Sequence, residues 1–279
     1  MRMLATRLDK PGKVKLGDIP TNATGGMTEQ EARERLLQLA PKLDELQELL
    51  YAAGDSSLLV VVQGMDTAGK DGTLKAIAGA MNPVGVRVAS FKAPSPEELS
   101  HDFLWRVHQQ MPAKGEVVFF NRSHYEDVLV VRVHNLVPKS VWDKRYAHIN
   151  DFETMLHDSG TTIVKIFLHI SKEEQHQRLL AREADASKAW KLNPGDWQER
   201  SHWDDYQRAY EAALGKCASK NAPWYIVPAD HKWFRNVAVA ELLIQTLKAH
   251  RPAWQAKLAR IGEERRAALA ALRAAGGVE

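Results

Sequence analysis

Cysteine is almost missing from this chain of 279 residues, where Cys217 is the single one. One thiol cannot build an intramolecular disulfide framework or a zinc cluster, so the expected setting is reducing and cytoplasmic. No apolar run approaches the length of a bilayer span, and residues 1–15 scatter basic side chains without an apolar core, so a soluble, untargeted protein with no membrane partner is expected. An excess of one charge is missing too. Against 38 Lys plus Arg stand 35 Asp plus Glu, a balance that gives no ground for nucleic-acid binding. The histidines lack metal-ligand spacing and there is no Gly-x-Ser-x-Gly elbow, so neither a zinc enzyme nor a serine hydrolase is expected.

What is present begins with Leu58-Leu59-Val60-Val61-Val62, a strand-like run feeding Gly64-Met65-Asp66-Thr67-Ala68-Gly69-Lys70-Asp71-Gly72. Gly64 and Gly69 tolerate positive φ, so backbone N–H groups can turn inward around an anion while the following helix aims its positive end at the same point. Lys70 adds a mobile cation. The spacing matches a Walker A motif except at Asp71, where ordinary phosphate loops place the Ser or Thr that ligates magnesium. A metal then needs another hard ligand, and Asp66 is the first candidate. The competing reading is a glycine-rich strand-to-helix turn that binds nothing; the apolar strand in front of it weighs against that.

Residues 1–26 lack sustained periodicity and are expected to form an irregular arm. Thr28 and Glu31 have capping-box spacing, and Leu36, Leu39, Leu43, Leu46 and Leu50 mark an amphipathic helix ending before Gly54. That seam can dock within the subunit or pair with a second copy. Strands are expected at 58–63, 86–91, 116–120, 162–169 and 224–227, with helices at 70–81, 96–111, 138–157, 172–183 and 201–220. Such alternation implies an α/β fold with a parallel five-stranded sheet covered on both faces, its ligand at the carboxyl ends of the strands. Closing helices at 233–249 and 254–275 complete one domain over 27–279, with a C-terminal helical extension at about 252–275.

The third expected strand ends in Asn121-Arg122-Ser123-His124-Tyr125-Glu126-Asp127. Phosphate-loop folds usually place a metal-binding acid where Asn121 stands; here the acids arrive as Glu126 and Asp127. Arg122 is placed to clamp a phosphoryl group in bidentate fashion, although a polar turn capping the next helix is the plainer alternative. Arg178 and Arg182 lie one helical turn apart and read either as a lid over the phosphates or as a solvated face. The polar stretch 184–200 carries Lys188, Trp190, Lys191 and Trp197. Loops of that length are functional or disordered, and tryptophans argue against disorder.

Together these residues resemble the second polyphosphate kinase family, which moves a phosphoryl group between inorganic polyphosphate and nucleotides. The resemblance rests on Gly64-x-Asp66-x-x-Gly69-Lys70-x-Gly72, on Arg122-Ser123-x-Tyr125, on Arg178 and Arg182, and on Lys188-x-Trp190-Lys191. It continues through residues 197–206 and Pro223-Trp224-Tyr225-x-Val227-Pro228-Ala229-Asp230, so it spans about 30–250. Asn121 and Glu126-Asp127 depart from many members and look like the class III subgroup, which accepts nucleoside monophosphates as well as diphosphates.

The resemblance implies a three-layer α/β/α sandwich of the P-loop kinase type, similar to thymidylate kinase, with a helical lid at about 178–200. It implies Mg2+ (or Mn2+) at Asp66 and Asp127, with Lys70 and Arg122 on the transferred phosphoryl group, Arg178 and Arg182 closing the lid, and Glu126 biasing nucleotide choice. The phosphate and nucleotide contacts it implies are Gly64, Met65, Thr67, Ala68, Gly69, Asp71, Gly72, Lys92, Asn121, Tyr125, Glu126, Lys188 and Lys191. The partners would be polyphosphate, AMP, ADP or ATP, and other copies in a dimer or tetramer. Two rivals stand beside it. An ATP-dependent nucleotide kinase calls for Ser or Thr at 71 and an acid at 121, and neither is there; a non-catalytic nucleotide-binding module would tolerate loss of Asp66 or Asp127.

Overall fold

A computed structural model describes residues 4–186 and 194–277 of the chain; Lys188, Trp190 and Lys191 lie outside the described residues. Its sheet has six strands, one more than the periodicity implies. The addition, β1 (Thr6–Leu8), lies in the stretch expected to be irregular and pairs antiparallel with the last strand, Thr6 opposite Ile226 and Leu8 opposite Trp224. Three residues are too few to show a period of two, and edge pairing needs only free backbone groups, so nothing in the pattern marks this strand. Leu16 follows it into the core, and its N–H donates to Glu211 at 2.8 Å. Both the Leu16 and the Ile19 carbonyls lie 3.1 Å from His169 Nε2, so the arm is tied to the body.

The expected strands appear as β2 (Ser57–Gly64), β3 (Val86–Ser90), β4 (Val117–Asn121), β5 (Thr161–His169) and β6 (Trp224–Pro228). They run parallel in the order β1-β6-β5-β2-β4-β3. At the centre Val60 of β2 lies opposite Phe119 on one side and Val164 on the other. Every residue of β2 is buried, which is why that strand reads as a continuous apolar run rather than an alternation. The chain leaves β2 toward β4 and β3 on one side, while β5 and β6 lie on the other. The reversal falls at the carboxyl end of β2, where such folds leave a crevice, and residues 64–72 lie there.

The helices, in chain order, are α1 (Glu29–Ala53), α2 (Lys70–Ala78), α3 (Pro96–Leu99), α4 (Trp105–His108), α5 (Val130–Val133) and α6 (Lys139–Asp158). They continue with α7 (Lys172–Ala184), α8 (Pro194–Ser201), α9 (Trp203–Lys216), α10 (Lys232–Lys248) and α11 (Arg251–Ala274). Helix α1 begins at the Thr28–Glu31 capping box and stops at Gly54, whose φ of 58° is left-handed. Its leucine seam, Leu39, Leu43, Leu46 and Leu50, is buried, and α1 packs against α10 and α11, so the seam serves the subunit's own core. The helix expected over 96–111 is two single turns instead. Ser100 Oγ donates to Glu97 O at 2.7 Å and closes the first, and the Asp102 carboxylate accepts from Leu104 N at 2.9 Å and starts the second.

Candidate functional site

Thr67 at φ 63° and Gly69 at φ 101° bend residues 64–69 into a loop between β2 and α2. Three side chains from outside hold successive loop carbonyls. Asp66 O accepts from Gln175 Nε2 at 3.1 Å, Thr67 O from Arg178 Nη1 at 3.0 Å, and Ala68 O from Arg178 Nη1 at 3.2 Å and Arg235 Nη1 at 3.1 Å. With these carbonyls drawn toward α7 and α10, and the Ala68 N–H donating to Met65 O at 3.1 Å, the N–H groups of residues 69–72 at the start of α2 are the ones left for an anion. Lys70 is buried beneath the loop and donates to Gly64 O at 2.7 Å and Met65 O at 3.2 Å. Burial first, then the Arg122 charge, push its amine down to about 8.

Arg122 reaches this amine from the end of β4. Its φ of 63° is strained for a side chain of its size, and such strain persists only where surroundings enforce it. Nη2 donates to Asp66 Oδ1 at 2.7 Å and Nη1 to Glu126 Oε2 at 3.3 Å, so Glu126 and Asp66 hold the guanidinium firmly charged against its burial. Asp71, the residue that breaks the Walker A pattern, accepts from Asn121 Nδ2 at 2.8 Å. Asp66, Lys70, Arg122 and Glu126 are therefore one connected polar cluster, with the Asp71–Asn121 pair beside it, at the carboxyl ends of β2 and β4.

Beside it opens a cavity of about 630 Å³. Its walls combine apolar Phe91, Phe103 and Val131 with charged Lys92, Arg106 and Asp127, and Arg122 and Glu126 form the side shared with the loop. Asp127 accepts from Arg145 Nη1 at 2.7 Å, yet burial outweighs that charge and pushes its carboxyl up to about 6. The charges bearing on Asp127 are Arg145, Glu126 and Arg106, whereas those bearing on Lys70 are Arg122, Asp66, Glu126 and Asp71. The side-chain contacts thus divide Asp66 and Asp127 between the loop and the cavity. Among the described residues no three His, Cys, Asp or Glu side chains converge as a metal cage.

Two expected site residues take other positions. Tyr125 is fully buried below the sheet's end, its hydroxyl donating to Glu153 Oε1 at 2.9 Å and accepting from Lys165 Nζ at 2.9 Å. A ring that follows a strand by four residues can point to either side, and here the buried acid takes its hydroxyl. Arg178 is buried rather than part of a solvated face: besides the loop carbonyls it donates from Nη2 to Ala229 O and Asp230 O, both at 2.7 Å, and from Nε to Glu174 at 2.7 Å. Arg182 pairs with Asp196 of α8 at 2.7 Å. Burial, then Asp66, raise the Asp196 carboxyl, so α8 lies within electrostatic reach of the loop.

Several residues here carried no motif. Gln175 and Arg235 belong to amphipathic helices, where one polar residue at a core position is a weak signal. Lys165 is different, because a lysine inside an apolar strand buried on both faces demands an acid. The structure supplies Glu153 from α6 at 2.5 Å. That pair, with Tyr125 and with His124 3.3 Å from Glu153, pins the segment after Arg122.

Residues 26–255 match the family profile described as polyphosphate kinase 2. A relative from Meiothermus ruber, named AMP/ADP-polyphosphate phosphotransferase, is 57% identical over 219 residues, 78% of this chain and 82% of the relative. One from Rhodopseudomonas palustris, named ADP-polyphosphate phosphotransferase, is 43% identical over 256 residues, 87% of this chain and 89% of the relative. The crystal structure of polyphosphate kinase 2 from Arthrobacter aurescens superposes with a TM-score of 0.84 at 46% identity, covering 87% of this chain and 88% of that one.

Proposed function

Because this chain belongs to the polyphosphate kinase 2 family, we infer that it transfers a phosphoryl group from inorganic polyphosphate to AMP or ADP, reversibly. The observation that carries the reading is the adjacency of two anion-ready places, the loop at Lys70 and the cavity bearing Lys92, Arg106 and Arg145, with Arg122 facing both. We assign the phosphate chain to the loop and the nucleotide to the cavity, whose apolar walls suit a base. The fold is taken as a P-loop kinase of the thymidylate kinase type: one domain from about residue 27, with a lid at about 178–200 that takes in the second half of α7 and most of α8.

The acceptor phosphate has its last pKa near ~6, so at neutral pH its attacking oxygen is already anionic and needs no strong base. The obstacle is repulsion between two polyanions. Lys70 on the chain side and Arg122 at the junction offset it and spread the charge of a loose, in-line transition state. Asp66 is a hard donor with no protein cage around it among the described residues, which fits a magnesium-type ion that takes its other ligands from phosphate and water. Mg2+ (or Mn2+), held by Asp66, would supply positive charge that offsets the phosphate oxygens. Asp127, in the nucleotide cavity with Glu126, then bears on the acceptor.

The test is a donor comparison: the protein with AMP or ADP, magnesium, and either long-chain polyphosphate or ATP. Polyphosphate is expected to drive formation of ADP and ATP. Activity with ATP and none with polyphosphate would return the chain to the ordinary nucleotide kinases.

A further inference from the structure

Arg235, in the first turn of α10, reaches the phosphate loop from behind and is 3% exposed. Nη1 donates to Ala68 O at 3.1 Å, while Nε and Nη2 donate to Asn236 Oδ1 at 3.2 and 3.0 Å. Among the described residues no carboxylate pairs with it. The charge that bears on it is another cation, Arg178; burial first, then Arg178, push it down to about 10. Two guanidinium groups from two helices therefore meet at one carbonyl, Ala68 O. Arg178 has Glu174 as its counterion, whereas Arg235 has none among the described residues, and a buried charge left unpaired is destabilising unless an anion answers it.

The loop is shaped around this side chain. A Cβ on Gly69 would collide with Arg235 Nη1, and a Cβ on Gly72 would lie 3.3 Å from Nη2. Both glycines belong to the Walker-like pattern, whose usual justification is close approach of phosphate from the front; here a cation fills the space at the back. Gly69 therefore answers two demands at once, its left-handed φ of 101° and the guanidinium beside it.

We propose that Arg235 is a positioning residue for the phosphoryl donor: it draws the Ala68 carbonyl away from the phosphate side, leaves the N–H groups of residues 69–72 for the chain, and adds an unneutralised buried charge behind them. The inference rests on the assignment of the phosphate chain to this loop. A latch that merely joins α10 to the loop would make the same contacts, so the test separates donor binding from everything else.

Tripolyphosphate binding, the KM for ADP and thermal stability are compared in wild type, Arg235→Met and Arg235→Lys. Arg235→Met is expected to weaken tripolyphosphate roughly 10-fold or more, the scale of a lost charge-assisted contact, with the ADP KM within about 2-fold. Arg235→Lys, which keeps the charge without the fork, falls between. Wild-type affinity in Arg235→Met, or equal losses for both substrates in step with thermal stability, overturns the proposal. If Arg235→Met does not fold, Arg235→Lys decides alone: selective loss of tripolyphosphate supports the proposal and wild-type affinity overturns it. A wild type that binds tripolyphosphate yet phosphorylates no nucleotide from polyphosphate would sink the assigned activity while leaving this comparison valid.

Discussion

Lys70 is poised rather than idle: its amine rests on the carbonyls of its own loop and has been drawn down to about 8. It is charged below that value and neutral above it in the free protein. Donor kcat/KM should therefore fall as pH rises through about 8, and donor binding in that range should take up a proton, seen as a buffer-dependent calorimetric heat. A flat profile through this range would show that Lys70 does not meet the donor. Lys70→Ala and Arg122→Ala should each lower kcat by at least about 100-fold, the scale for one transition-state charge partner. Asp127 behaves oppositely. Its folded value of about 6 lies above the ordinary 3.8, so the folded state holds that proton more tightly than the unfolded chain, and this stabilising contribution fades as pH rises through about 6. Asp127→Asn should thus match or exceed wild-type melting temperature near neutral pH, the difference closing below about 6, while nucleotide turnover drops. At this scale the motif residues were legible because glycines, Lys70 and Arg122 carry chemistry at fixed spacing. At Arg178 the sequence left two readings open, because an arginine on a helix face looks alike whether it meets solvent or backbone carbonyls.

Helices and strands set where those residues meet. The segment after β4 is pinned by the buried Glu153–Lys165 pair, which joins α6 to β5 and engages Tyr125. Removing one member leaves a buried charge alone: Lys165→Met should cost about 3–5 kcal/mol in urea unfolding. Adding Glu153→Leu to it should recover part of that loss, and additive losses would contradict the coupling. The strands were read nearly in full because two-sided burial forces apolar runs, whereas 96–111 failed as one helix because Ser100 and Asp102 satisfy backbone groups locally. Their apolar period survives across the break, so periodicity alone could not reveal it.

Across the whole molecule, the sheet places every site element at one end, and its far edge is closed by β1. The arm was invisible as structure because its contacts join residues about 200 positions apart, such as Leu16 with Glu211, through backbone groups that carry no pattern. Deleting residues 1–20 should lower the melting temperature and expose β6 as an unpaired edge, seen as self-association on gel filtration. An unchanged monomer–oligomer profile and melting point would show the arm to be dispensable. The account as a whole stands on direct transfer between two phosphate chains held by one loop and one cavity. A single-turnover reaction of the protein with labelled polyphosphate and ADP tests that most directly. Label is expected in the terminal phosphate of ATP, with none on the protein before or during transfer; labelled protein, or no labelled ATP while ATP itself phosphorylates AMP under the same conditions, would contradict it.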